Sequence, residues 1–134
     1  MEKINEKTKE NKIWLGKDGI VRIKVGKVID EKVIKRIIND YKEITRKFST
    51  KQKILIDIKS STPIPSSLFR KKVVESLKDA YREPGFEKMA IWGGSTVLRV
   101  ITLFIVKATG FKNIKHFETE KEALQWLKED QSRF

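Results

Sequence analysis

Between Ile20 and Leu127 the chain alternates short β-branched runs with longer stretches of helical period, and this alternation confines it to a layered α/β architecture. Ile20-Val-Arg-Ile-Lys-Val25, Lys53-Ile-Leu-Ile-Asp-Ile58, Glu87-Lys-Met-Ala-Ile-Trp92 and Asn113-Ile-Lys-His-Phe117 read as strands. The second is apolar on both faces as far as Asp57, the pattern of a central parallel strand covered on both sides. Between the strands, apolar residues recur at helical spacing. Val33, Ile34, Ile37, Ile38, Tyr41, Ile44 and Phe48 follow a cap at Asp30, so the first helix is expected to reach about Phe48. Leu68, Phe69, Val73, Val74, Leu77, Ala80 and Tyr81 follow a cap at Ser66 or Ser67, and Ala123, Leu124, Trp126 and Leu127 follow a capping box of Thr119 and Glu122.

The stretch after Gly93-Gly94 is β-branched and fits either helix or strand by period; its length, with Ser95 before it and Gly110 behind it, selects a helix. Ahead of all this, Lys12-Ile-Trp-Leu15 and the Asp18-Gly19 turn make a hairpin with the first long strand. The order β-β-α-β-α-β-α-β-α therefore predicts a single α/β domain over residues 12–131, a mainly parallel sheet with an N-terminal hairpin at its edge and helices packed on it. Residues 1–11 are polar and expected to be flexible.

The composition removes most enzyme chemistries. The chain has no cysteine and one histidine, His116, so disulfides, thiolate nucleophiles and histidine metal clusters are out. Phosphate-loop, dinucleotide and nucleophile-elbow signatures are absent, so no catalytic residue, metal ligand or cofactor is expected. No apolar run is long enough for a transmembrane segment, and the charged start is unlike a secretory signal; a cytoplasmic location is the default expectation. The net charge of +12 invites a nucleic-acid reading, but it is carried mostly by lysines scattered among glutamates, which reads as a solvated surface rather than a nucleic-acid site.

Four places carry candidate binding chemistry. Asp57 ends a central strand, where it could orient a ligand or simply tie down the following loop. Trp92-Gly93-Gly94-Ser95 ends another strand and opens a helix, a geometry suited either to a tight turn or to an anion contact. Ser66 and Ser67 sit at the start of a helix with Arg70, Lys71 and Lys72 in its next turn, so they either cap it or accept a phosphate in a partner-facing loop. The helix after Ser95 is apolar almost all round, so its outer side must be covered by a second subunit or partner, by another helix, or by a nonpolar ligand. Val97, Ile101, Phe104 and Ile105 are its candidate interface residues, and Arg99 is placed to meet an anionic group or Asp57, or to snorkel to water.

This element order, with Ile54-Leu-Ile-Asp57, Lys88-Met-Ala-Ile-Trp-Gly-Gly-Ser95 and Phe117-Glu-Thr-Glu-Lys-Glu-Ala-Leu-Gln-Trp-Leu127 at their spacing, resembles the STAS domain of anti-sigma-factor antagonists. It is more similar still to the small bacterial SpoIIAA-like proteins, also described as CRAL-TRIO-like. The resemblance implies a non-enzymatic binding or regulatory module acting through a protein partner or a homodimer. In the antagonist branch it implies a phosphorylated serine at the start of the second helix; Ser66 and Ser67 match that place, while the flanking aspartate and glycine of the family turn are Pro65 and Leu68 here. The SpoIIAA-like branch implies the alternative of a carrier or sensor for a small nonpolar or lipid-like molecule.

Overall fold

Asp18 and Gly19 turn the chain back on itself: Gly19 takes a φ of 81°, and the Asp18 Oδ1 accepts the Ile20 N–H at 3.2 Å. The hairpin so closed pairs β1 (Lys12–Leu15) antiparallel with β2 (Ile20–Lys24). A computed structural model describes residues 11–48, 51–63 and 66–129. Beyond the hairpin run α1 (Glu31–Thr45), β3 (Gln52–Asp57), α2 (Ser67–Arg82), β4 (Phe86–Trp92), α3 (Thr96–Thr109), β5 (Ile114–Phe117) and α4 (Glu120–Lys128). Of the polar start, only Asn11 lies within the described residues, and its side chain accepts the Gly26 N–H at 2.7 Å.

The five strands lie in chain order, with β2 to β5 parallel. Every crossover steps in the same direction, so right-handed connections put α1, α2 and α3 on one face, and α4 returns over β3 and β4 on the other. The strand period of two divides the core accordingly. Val21, Ile23, Ile54, Met89 and Ile91 meet the three-helix side, while Ile20, Leu55 and Ala90 meet Ala123 and Leu127 of α4. Each buried valine, leucine, isoleucine or methionine of this set contributes about 2 kcal/mol.

Side chains cap the four helices of the described residues: Asp30 accepts the Val33 N–H, Ser66 that of Phe69, Ser95 that of Leu98 and Thr119 that of Glu122. The β-branched stretch after Ser95 is helical, stopped by Gly110 at a φ of 76°. Helix α1 is shorter than its apolar period suggests. It ends at Thr45, and Phe48 lies exposed in the turn beyond.

Candidate functional site

Helix α3 has one buried side and one bare side. Leu98, Ile101, Thr102 and Ile105 are buried, and Ile101 and Ile105 pack on Phe69, Val73, Val74 and Leu77 of α2. Opposite them Val97, Val100, Leu103 and Phe104 are 59, 61, 46 and 69 % exposed. The interface set expected from sequence is therefore corrected: Val97 and Phe104 face outward with Val100 and Leu103, but Ile101 and Ile105 belong to the core. Their burial follows from helical geometry, because they lie on the side of α3 turned toward α2 and the sheet.

Beside the bare stripe a groove of about 900 Å³ opens between α2 and α3 and reaches the start of α1. Phe69, Val73, Val74, Phe104, Ile105 and Ala108 give it an apolar floor and wall, and Ser67 stands at its end. Its charged lining holds four cations, Lys35, Arg70, Lys71 and Lys72, against the two carboxylates Glu31 and Glu75. Glu31 is shared by Lys72 at 3.3 Å and Lys35 at 3.4 Å, and these lysines, Lys72 foremost, hold its carboxyl below the usual range. Ser66 and Ser67 are both exposed at this end of α2, with the Ser66 hydroxyl engaged as the cap; Ile64 and Pro65 of the preceding loop lie outside the described residues.

The carboxyl edge of the sheet gathers the other candidates. Asp57 and Trp92 are register partners on the α4 face, and the Asp57 Oδ1 accepts the Lys59 N–H at 2.8 Å, tying down the following loop. Gly93 and Gly94 take φ values of 88° and 91°, and a Cβ on Gly93 would lie 3.0 Å from the Lys59 Cα, so the glycines serve a close approach of two loops. Ser95 caps α3, and the His116 Nε2 lies 2.9 Å from the Gly93 carbonyl oxygen. Arg99 does not meet Asp57: its Nη1 contacts the Glu118 Oε1 at 2.6 Å. The Trp92 indole N–H is buried without a hydrogen-bond partner among the described residues.

A second concavity escaped the sequence reading. An apolar cavity of about 150 Å³ lies between the sheet and all three helices of the first face, with Ile54, Ile56, Met89 and Ile91 as floor and Ile34, Ile37, Leu77 and Val106 among its walls. Neither Trp92 nor Arg99 lines it. Its polar neighbours are Tyr41, Ser76 and Thr102; Tyr41 donates its hydroxyl to the Gly85 carbonyl at 2.8 Å and Thr102 to the Leu98 carbonyl at 2.8 Å, so the donor hydrogens of these two are engaged away from the cavity. Burial pushes the Tyr41 phenol well above its ordinary value, which keeps it neutral. The sequence signal was there in the isoleucine-rich period of α1, but its meeting with α2 and α3 is a tertiary event.

Among the described residues no cluster of histidine, cysteine or carboxylate side chains could hold a metal ion, and no helix is long and apolar enough to cross a membrane.

Comparison with known proteins agrees with this geometry. A protein of the DUF3478 family with a SpoIIAA-like fold from Shewanella loihica PV-4 superposes with a TM-score of 0.61 at 19 % identity, over 87 % of this chain and 91 % of that one. The unphosphorylated anti-sigma factor antagonist SpoIIAA superposes with a TM-score of 0.56 at 14 % identity, over 87 % of this chain and 95 % of the other. No curated protein matches the chain. The SpoIIAA-like family model matches residues 20–128, from β2 through α4, and the chain belongs to that family.

Proposed function

We propose that this chain is a non-catalytic, STAS-type regulatory module that works by docking a protein on its α2–α3 face. The supporting observation is the bare stripe of α3, with Phe104 69 % exposed, running beside the groove that ends at Ser67. Apolar side chains clustered in this way on a small domain mark a surface that is covered in use. SpoIIAA is by name an antagonist of an anti-sigma factor, so that protein's target is itself a protein, which supports a protein partner here. Ser67, and Ser66 beside it, are the proposed modification points, because a phosphate there would add negative charge among Arg70, Lys71 and Lys72. The test is a photo-crosslinking residue at 100 or 104, with position 128 on the opposite face as control. Protein adducts are expected from 100 and 104 alone; adducts equal at all three positions, or none, would refute the reading.

The 150 Å³ cavity favours a second reading, a sensor of a small nonpolar molecule. An apolar space of this size stays dry and admits a ligand such as benzene. Thermal unfolding in saturating benzene checks it. A rise in melting temperature is expected, and an unchanged curve removes this reading.

A further inference from the structure

We infer that the occupant of the α2–α3 groove is an acidic amphipathic helix of a partner protein. The inference rests on the docking face proposed above and concerns what fills it.

Size comes first. A helix about 10–12 Å across occupies roughly 500 Å³ per turn. The groove, at about 900 Å³, holds close to two turns. The lining on α2 covers the same length, from Ser67 to Ser76 with Phe69 and Val73 one turn apart, and α3 adds Phe104, Ile105 and Ala108. Their complement is a partner stripe of apolar residues at i, i+3, i+4 and i+7, laid into the groove with its polar side outward.

Charge decides the polar side. The lining carries four cations against two carboxylates, Lys107 lies exposed on the outer side of α3, and the chain as a whole has a net charge of +12. A second copy of this chain would bring basic rim against basic rim, a juxtaposition that works against association. A lysine-faced helix meets the same repulsion, whereas a glutamate-faced one gains on approach and in register. An anionic bilayer shares the favourable charge but not the shape, because Phe69, Val73 and Val74 are half-buried between helices and a flat surface does not reach them.

The test uses two synthetic peptides of about 18 residues, long enough to form several turns once docked. They share one leucine and phenylalanine stripe and differ only in carrying glutamate or lysine on the polar face. Fluorescence anisotropy against the full chain is expected to show the glutamate helix binding at least tenfold more tightly, with affinity falling as salt rises. Phe104→Ser and Lys71→Glu should each weaken it at least fivefold while melting temperatures stay unchanged. Equal affinity for both peptides, or binding of neither, overturns the inference. So does retention on phosphatidylglycerol vesicles without peptide binding, or a concentration-dependent dimer lost in Phe104→Ser. If crosslinks from position 104 persist while the glutamate helix fails, the docking face stands and only its proposed occupant falls.

Discussion

The Arg22 guanidinium grips the Asp18 carboxylate with two parallel hydrogen bonds, Nη1 to Oδ1 at 2.8 Å and Nη2 to Oδ2 at 2.9 Å, across the β1–β2 turn. Gly16 leaves room for this clasp, since a Cβ there would collide with the guanidinium. The pair braces the turn of the edge hairpin, and bidentate geometry makes it stronger than an ordinary surface ion pair.

The bond from Arg22, opposed by partial burial, lowers the Asp18 pKa well below its ordinary value. The folded state therefore holds the proton more weakly than the unfolded chain, where the value is about 3.9. The stabilisation is present above that pH and is lost as the solution is acidified through the folded value. Solvent screening keeps it small, about 1 kcal/mol. Asp18→Asn should cost that amount at pH 7, and urea unfolding should show the gap to the wild type narrowing as pH falls toward 2. A gap that stays constant in acid would remove the clasp as its cause.

Two glycines separate backbone strain from collision. Gly19, at a φ of 81°, has nothing within 4 Å of an added Cβ, whereas at Gly93, with a φ of 88°, the added atom meets the Lys59 Cα at 3.0 Å. Gly19→Ala should cost about 1 kcal/mol, the left-handed penalty alone. Gly93→Ala should cost roughly 2–3 kcal/mol, because strain and crowding add. Chemical denaturation of the two variants side by side checks the order, and equal costs would mean that the Lys59 loop yields freely.

What the sequence made legible was local. The caps at Asp30, Ser66, Ser95 and Thr119 each bond to a backbone N–H three residues on, so residue type and position sufficed to find them. Ser95 and Gly110 likewise outweighed the β-branched composition of α3. What stayed hidden depended on distant partners. Arg99 pairs with Glu118, which only the α3–β5 crossover brings near, and the apolar period of α1 runs on to Phe48 although the helix ends at Thr45 and leaves Phe48 exposed. The cavity and the groove each need at least two helices set side by side on the sheet, and that spacing is written in no single segment.

Lys88 is 1 % exposed on the α4 face, and its ammonium donates to the carbonyls of Trp126 at 2.8 Å and Glu129 at 3.2 Å, closing the end of α4. Burial lowers its pKa, so stability rises with pH as the ordinary lysine value of about 10.4 is approached. Lys88→Met keeps the stem and relieves the desolvation. Trp126 O still accepts from the Glu129 N–H at 3.2 Å, and the exposed Glu129 can turn to water. The change should stay within about 1 kcal/mol and should flatten the rise at alkaline pH. Lys88→Ala leaves a hole instead and should cost about 2–4 kcal/mol. Melting curves across pH distinguish the two; a large loss in Lys88→Met would show that the ammonium itself holds α4 in place.

Phe104 and Ile101 share a helix and differ in what surrounds them: Phe104 is 69 % exposed, and Ile101 is 7 % exposed against Phe69, Val73, Val74 and Leu77. Removing the Phe104 ring takes away little buried area, so Phe104→Ser should change stability by no more than about 0.5 kcal/mol. Ile101→Ser empties a packed site and brings a hydroxyl into it, and should cost about 3 kcal/mol or more. Urea midpoints at two protein concentrations make the comparison decisive. A loss above about 2 kcal/mol in Phe104→Ser at both concentrations would mean that another part of the same chain covers the stripe. A loss seen only at high concentration would mean that a second copy covers it. If Phe104→Ser is neutral at both, the α3 stripe is bare in the free protein and available to a partner.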